Sequence, residues 1–468
     1  MLEKRLKART DLLKLELALD CLSVYNGVLK DPPIRRALDL VTALNRDTGN
    51  IHTRACAYSA MYRSLIKENC LMSWSEYVIH AVLRDANPFT RAVSSVSRYR
   101  LSRASHQPCG QQRSDDGVSQ LAPSVVEDLN TLQQLAQLNP TDIKELLRAE
   151  AIQTSQEWAL SIIAKLPEWT VLPFNNSGGM RKRRKAHSPH AVCDLLLTAL
   201  PNENGWSGCY NELRDFHRVN GYGEMPFAHF FCWSGNLLRP ILTPDPITLN
   251  GLLDYDGMIA KVVDNTKLFL DGKSAENVLL YGARGTGKSS TVKAVGNEFG
   301  ARGLRMIEVK KKDLGKLPEL LDKLSDSRIK FIIFIDDLSF EAQGDEYNSL
   351  KSILEGGSAK QPSNTLIYVT SNRRHIVVER FSDTQEDLFE NDARHEKLSL
   401  AERFGLSLHF RTPLQKTYLE IVADIAAKSK LDIDSDVLER EALTFANHIG
   451  SRSPRTARQF VRQIANEN

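Results

Sequence analysis

Gly282-Ala283-Arg284-Gly285-Thr286-Gly287-Lys288-Ser289 fits G-x-x-x-x-G-K-[ST] at every fixed position. Glycines at these places let successive backbone N–H groups turn toward an anion, helped by the positive end of the helix that follows. Lys288 brings a compact charge to the outer phosphates of a nucleoside triphosphate, and the Ser289 hydroxyl can ligate magnesium. Ser290 carries the loop into its helix. A second group lies downstream. The apolar run Phe331–Ile335 ends in Asp336 and Asp337. At the carboxyl end of a strand both acids face the phosphate-loop crevice, where Asp336 can hold the magnesium shell and Asp337 can orient an attacking water. Leu366–Val369 ends in the small polar residues Thr370, Ser371 and Asn372, and the Asn372 amide can hydrogen-bond the last phosphate or the water. Together these residues predict binding of a nucleoside triphosphate with Mg2+.

The surrounding sequence supplies the elements to hold them. Val278–Tyr281 reads as a buried strand before the loop, and Val292, Val295, Gly296 and Phe299 recur at helical spacing after it. Further strand candidates are Arg305–Val309, Phe331–Ile335, Thr365–Val369 and Ser407–Phe410. Apolar strands separated by helix-length segments indicate a parallel sheet covered on both faces. Residues 413–468 contain no strand candidate and read as a small helical bundle. Before the prolines Pro240, Pro244 and Pro246, residues 1–92 and 125–166 have helical periodicity. Residues 94–124 are rich in Ser, Arg, Gln and Gly and read as a flexible insertion, because they bury too little to offset their ordering entropy. Residues 175–189 form a basic loop around Arg181–Lys185, and the aromatic residues of 190–238 read as a core of this N-terminal region.

Composition narrows the classes. With 468 residues the chain has room for about three domains, and a net charge of +3 does not by itself argue for nucleic acid. The seven cysteines form no C-x-x-C pair and suit reduced thiols in a cytoplasm. No run approaches the length of a membrane span, and His187 and His190 lack an acidic partner for a metal.

The phosphate loop, the strand with two acids, the strand ending in Asn372, the segment Ala401-Glu402-Arg403-Phe404-Gly405 and the helical C-terminus resemble an AAA+ ATPase. The wording NVLLYGARGTGKSSTVKA, KFIIFIDDLSF, LEGG and TSNRRH is closer still to the bacterial family described as domain of unknown function 815. The resemblance implies an α/β AAA+ P-loop NTPase core, a five-stranded parallel sheet with helices on both faces, over 240–412. A helical lid over 413–468 follows it, and a mainly helical region 1–239 precedes it. It implies ATP and Mg2+ as ligands and an ATPase reaction. By position, Gly282, Gly287, Lys288 and Ser289 match Walker A, Asp336 and Asp337 match Walker B, and Asn372 matches sensor 1. Most AAA+ proteins have Glu where Asp337 stands, so either the loop shifts or hydrolysis is slow. Arg403 matches the arginine finger, which acts on a neighbouring copy and implies a homo-oligomer. Arg455 matches sensor 2, with Ser453 as helix cap and Pro454 at the first helical position. Arg458 on the same face is its rival. Tyr255 and Asp256 stand where adenine is cradled in that family.

The first functional reading is therefore an ATPase that remodels or assembles a macromolecular partner. A nucleic-acid loader using ATP as an assembly switch is the alternative, supported by Arg181–Lys185 and Lys310-Lys311-Lys312 alone. A small-molecule kinase would need no finger from a neighbour. Peptide threading is disfavoured, since the stretch after the second strand has lysines and no aromatic residue.

Overall fold

The computed structural model describes residues 2–46, 50–68, 72–96, 116–169, 188–252, 255–338, 340–341, 345–355, 361–372, 377–378, 402–429, 431 and 433–467. The basic run Arg181–Lys185, His187, the Gly356-Gly357 pair, Arg373–His375 and Ala401 lie outside them. The chain forms two compact units, Met1–Phe227 and Ala228–Asn468.

The first unit is helical. Pro32 opens the helix Pro32–Asn45, because a proline loses nothing at the first helical turn and the Asp31 side chain accepts the Ile34 N–H. The helix Asp116–Ala136 begins inside the stretch expected to be a flexible insertion. Val118, Val125, Leu129 and Leu132 recur along it and are buried, which stabilises residues that composition alone marks as loop. Trp74, Trp169, Trp206, Tyr58, Phe89 and Phe216 fill the core around it.

His217 is fully buried in this core, with Nδ1 2.9 Å from the Gly221 carbonyl and no partner at Nε2 among the described residues. Burial pushes its pKa down to about 4. The unfolded chain, with a histidine pKa of about 6.5, therefore takes up the proton first as pH falls. This contribution to stability is full above about pH 6.5 and is lost from there toward pH 4, at about 1.4 kcal/mol per pH unit. Urea unfolding of the whole chain at pH 7 and pH 5 should show a lower midpoint at pH 5, and His217→Leu should weaken that dependence.

The second unit is built on strands β1 (Phe230–Ser234), β2 (Leu237–Pro240), β3 (Val278–Gly282), β4 (Leu304–Val309), β5 (Lys330–Ile335), β7 (Thr365–Ser371) and β9 (Leu406–Phe410). A separate pair is made by β6 (Phe340–Glu341) and β8 (Val377–Val378). The main sheet has seven strands in the order β2-β1-β4-β5-β7-β3-β9. All neighbours are parallel except β1 and β2.

The five expected strands are thus contiguous, and a hairpin extends the sheet to seven. That hairpin comes from residues assigned above to the N-terminal core. Phe230, Phe231 and Trp233 are buried in the second unit instead. Its turn is Gly235-Asn236, with φ of 57° and 67°, the positive pair that a tight two-residue hairpin requires. The dipeptide, set between two apolar runs, is a hairpin signal in the sequence.

One face of the sheet packs on the helix Asp256–Leu270 and the phosphate-loop helix Lys288–Gly300, through Val262, Phe269, Val292, Val295 and Phe299. The other meets the helix Leu317–Ser325, where Leu317, Leu320, Leu321 and Leu324 are buried. The helices Gln415–Lys428, Ser435–Ile449 and Pro454–Glu467 then form a bundle with its own core around Tyr418, Val422, Ala442 and Phe460. From β9 to β4 the order places the phosphate-loop strand β3 between the last strand and the strand that ends in Asn372. This is the expected α/β core, a largely parallel sheet with helices on both faces, followed by a helical lid.

Candidate active site

Parallel strands bring their carboxyl ends to one edge, and the phosphate loop, both acids and Asn372 meet there. They line a cleft of about 810 Å³. Arg284 through Thr291 form its floor, and Asp336, Asp337, Thr370 and Asn372 one wall. Leu252, Tyr255 and Ile259 supply an apolar corner, and Pro454, Arg455, Arg458, Gln459 and Arg462 close it from the last helix. The whole cleft belongs to the second unit.

The lid touches the loop directly. Gly285 has φ of 77°, and a Cβ there would stand 2.7 Å from Ser453 Oγ and 3.1 Å from Arg455 Cβ. A larger residue would be strained in backbone and would push the last helix away. Ser453 caps that helix by accepting the Thr456 N–H at 3.2 Å, the role its sequence position suggested. Arg455 lines the cleft, and so do its rival Arg458 and Arg462.

Lys288 is buried, and its ammonium donates to the carbonyls of Gly282 (2.9 Å) and Ala283 (2.7 Å) and to Asn372 Oδ1 (3.1 Å). Gly282 and Ala283 contribute these carbonyls but do not line the cleft, unlike Arg284 to Ser290. Burial holds the Lys288 pKa below its ordinary value, while Asp337 and then Asp336 oppose that shift. The Asn372 amide nitrogen in turn donates to Asp337 Oδ1. Ser289 donates its hydroxyl to Asp336 Oδ1. The two groups predicted to share a magnesium ion are therefore adjacent. Among the described residues no cluster of His, Cys, Asp or Glu forms a closed metal cage. An open site with one hydroxyl and one or two carboxylates fits Mg2+, which keeps several waters and takes other ligands from phosphates.

A family model described as "Protein of unknown function (DUF815)" matches residues 227–468, more than half of the chain. The chain belongs to this family. In this DUF815 protein the matched region opens beside the start of the second unit at Ala228. No curated protein matches it. Among solved structures, the Thermotoga maritima RuvB Holliday junction branch migration motor aligns at 16% identity with a TM-score of 0.33. AMPPCP-bound DnaA from Aquifex aeolicus aligns at 18% identity with a TM-score of 0.33. In both cases the match covers 47% of this chain and 65% of the other, so the chain spans less than two thirds of their length.

Two expected residues sit differently from the rest of the DUF815 site. Tyr255 lines the apolar corner, but its hydroxyl is bound to the Arg411 carbonyl and its ring packs 4.8 Å from that of Phe410. Arg403 does not line the cleft of its own chain. It is half-buried and ion-paired with Glu355. Sequence reading missed Leu252, Ile259, Gln459 and Arg462 as cleft residues, and gave Thr370 no role of its own.

Proposed function

We propose that this protein is a Mg2+-dependent ATPase of the AAA+ class that couples ATP binding and hydrolysis to remodelling or assembly of a macromolecular partner. One observation carries the reading: Lys288, Ser289, Asp336, Asp337, Asn372 and Arg455 line a single cleft. Magnesium, when bound, would supply charge neutralisation at the phosphates. The chain's own groups do the rest. Loop N–H groups and Lys288 take the phosphates, exchanging the carbonyl contacts of the ammonium for stronger bonds to anionic oxygens. Ser289 and Asp336 would hold the metal shell. Asp337, oriented by Asn372, accepts a hydrogen bond from the attacking water and lines it up with the last phosphate. Arg455 adds positive charge from the lid, and Arg403 does so from a neighbouring copy in a homo-oligomer. The base lies against Leu252, Tyr255 and Ile259.

A nucleic-acid partner is the second reading. Lys310, Lys311, Lys312 and Lys316 are exposed on the turn that follows β4, at the same edge of the sheet as the cleft. None of the described helices is long and apolar enough to cross a membrane, and we assign the protein to the cytoplasm. Calorimetric titration of the intact chain with ATP and Mg2+ tests the proposal. One nucleotide per chain is expected, with phosphate released on standing. A chain that binds no nucleotide would overturn it.

A further inference from the structure

Asp337 is one of the few non-glycine described residues with positive φ, at 50°. That left-handed backbone is disfavoured for most side chains, and Asp is among the residues that tolerate it best. Something must hold the turn, and apart from the Ser289 hydroxyl on Asp336 the contacts come from the end of β7 and from Asn372 just beyond it. The buried Thr370 hydroxyl accepts the Asp337 N–H at 2.9 Å and donates to Asp336 Oδ1 at 2.6 Å. The Thr370 carbonyl accepts the Leu338 N–H at 2.8 Å, and the Ser371 hydroxyl donates to the Leu338 carbonyl at 2.8 Å. The backbone of the three-residue segment that carries both acids is thus tied to one neighbouring strand.

We propose that Thr370 is a positioning residue whose single hydroxyl sets both acidic groups at once, Asp336 through its carboxylate and Asp337 through its backbone. The inference rests on the ATPase reading of the cleft and deepens it. It also accounts for aspartate where longer glutamate is usual. A short carboxylate is placed by turning the backbone into the left-handed region rather than by extending the side chain, and the turn needs a clamp. The donor must be a hydroxyl, because one group has to accept from an amide and donate to a carboxylate. Valine has the shape of threonine but can do neither.

The test compares Thr370→Val and Thr370→Ser with the parent chain, using three readouts. The first is affinity for ATP in EDTA. It should stay within about twofold in both variants, because Lys288 and the loop are untouched. The second is the gain in affinity on adding Mg2+, together with the single-turnover cleavage rate. Thr370→Val should lose roughly 10- to 100-fold in cleavage and most of the magnesium gain, the scale of a lost hydrogen bond to a charged group. Thr370→Ser should restore both to within a few-fold despite its missing methyl, which a purely structural role would not allow.

The third readout needs no nucleotide. Exchange of the Asp337 amide hydrogen should quicken at least tenfold in Thr370→Val and remain slow in Thr370→Ser. If Thr370→Val does not fold, Thr370→Ala replaces it with the same expectations. Parental cleavage and magnesium dependence in a folded hydroxyl-free variant would overturn the proposal, as would an unchanged Asp337 exchange rate. A parent that never cleaves ATP, yet shows the expected exchange pattern, would instead count against the ATPase reading while leaving the clamp in place.

Discussion

Lys288→Ala is expected to abolish tight ATP binding, lowering affinity by roughly a hundredfold or more, or about 2.7 kcal/mol. The ammonium is buried beneath the loop, and the other cations of the cleft approach from Arg284 and from the lid rather than from the helix start. Removing it also takes one donor from each of the Gly282 and Ala283 carbonyls and the Asn372 oxygen, although the Thr286 hydroxyl still donates to Ala283, so the loop itself should loosen. Lys288→Arg is not a conservative control, because a planar fork cannot reproduce a point charge held by three oxygens. The calorimetric titration used for the parent decides the matter. A variant that bound ATP with Mg2+ within a few-fold of the parent would show that the phosphates do not sit on this loop.

The second large effect concerns assembly. Arg403 lies outside its own cleft and is ion-paired with Glu355; on the proposed reading its target is a phosphate bound by another copy. A finger supplied from a neighbour can contribute about 10³–10⁵ in rate, so dilution to monomer should remove nearly all activity. Arg403→Ala and Lys288→Ala chains should each be inactive alone. Mixed, they can form an interface that joins the intact loop of one to the intact arginine of the other, and hydrolysis should return as subunits exchange. In the active interface the guanidinium must leave Glu355 for the more highly charged phosphate. Specific activity that stays flat across dilution of a demonstrably monomeric sample would make the Arg403–Glu355 pair structural and the protein a monomeric switch.

The phosphate loop, the two acids and Asn372 were legible in the sequence for a local reason. Each closes an apolar run that is recognisable as a buried strand, and parallel strands deliver their carboxyl ends to one place. The lid contact was legible in part, because Ser453 and Pro454 spell a helix start whatever packs against it. Thr370 shows where such reading ends. Its part depends on the register of β5 on β7, which pairs Ile335 with Val369 and so sets Thr370 beside Asp336. Nothing within either strand encodes that alignment alone. The Arg403–Glu355 pair is a tertiary contact of the same kind. The hairpin β1–β2 was missed for the opposite reason. Its Gly235-Asn236 turn is present in the sequence, but the surrounding stretch, dense in aromatic residues, reads as a core of the N-terminal region.

Single-turnover cleavage of ATP by Asp337→Asn bears most directly on the claim that this cleft hydrolyses ATP. Asparagine keeps the side-chain oxygen that accepts the Asn372 amide and tolerates the left-handed backbone, so it removes the charge and little else. The account predicts that the variant binds ATP with Mg2+ as the parent does and holds it uncleaved, with the rate reduced roughly a hundredfold or more. Cleavage at the parental rate would contradict it, and would place the chemistry on another residue.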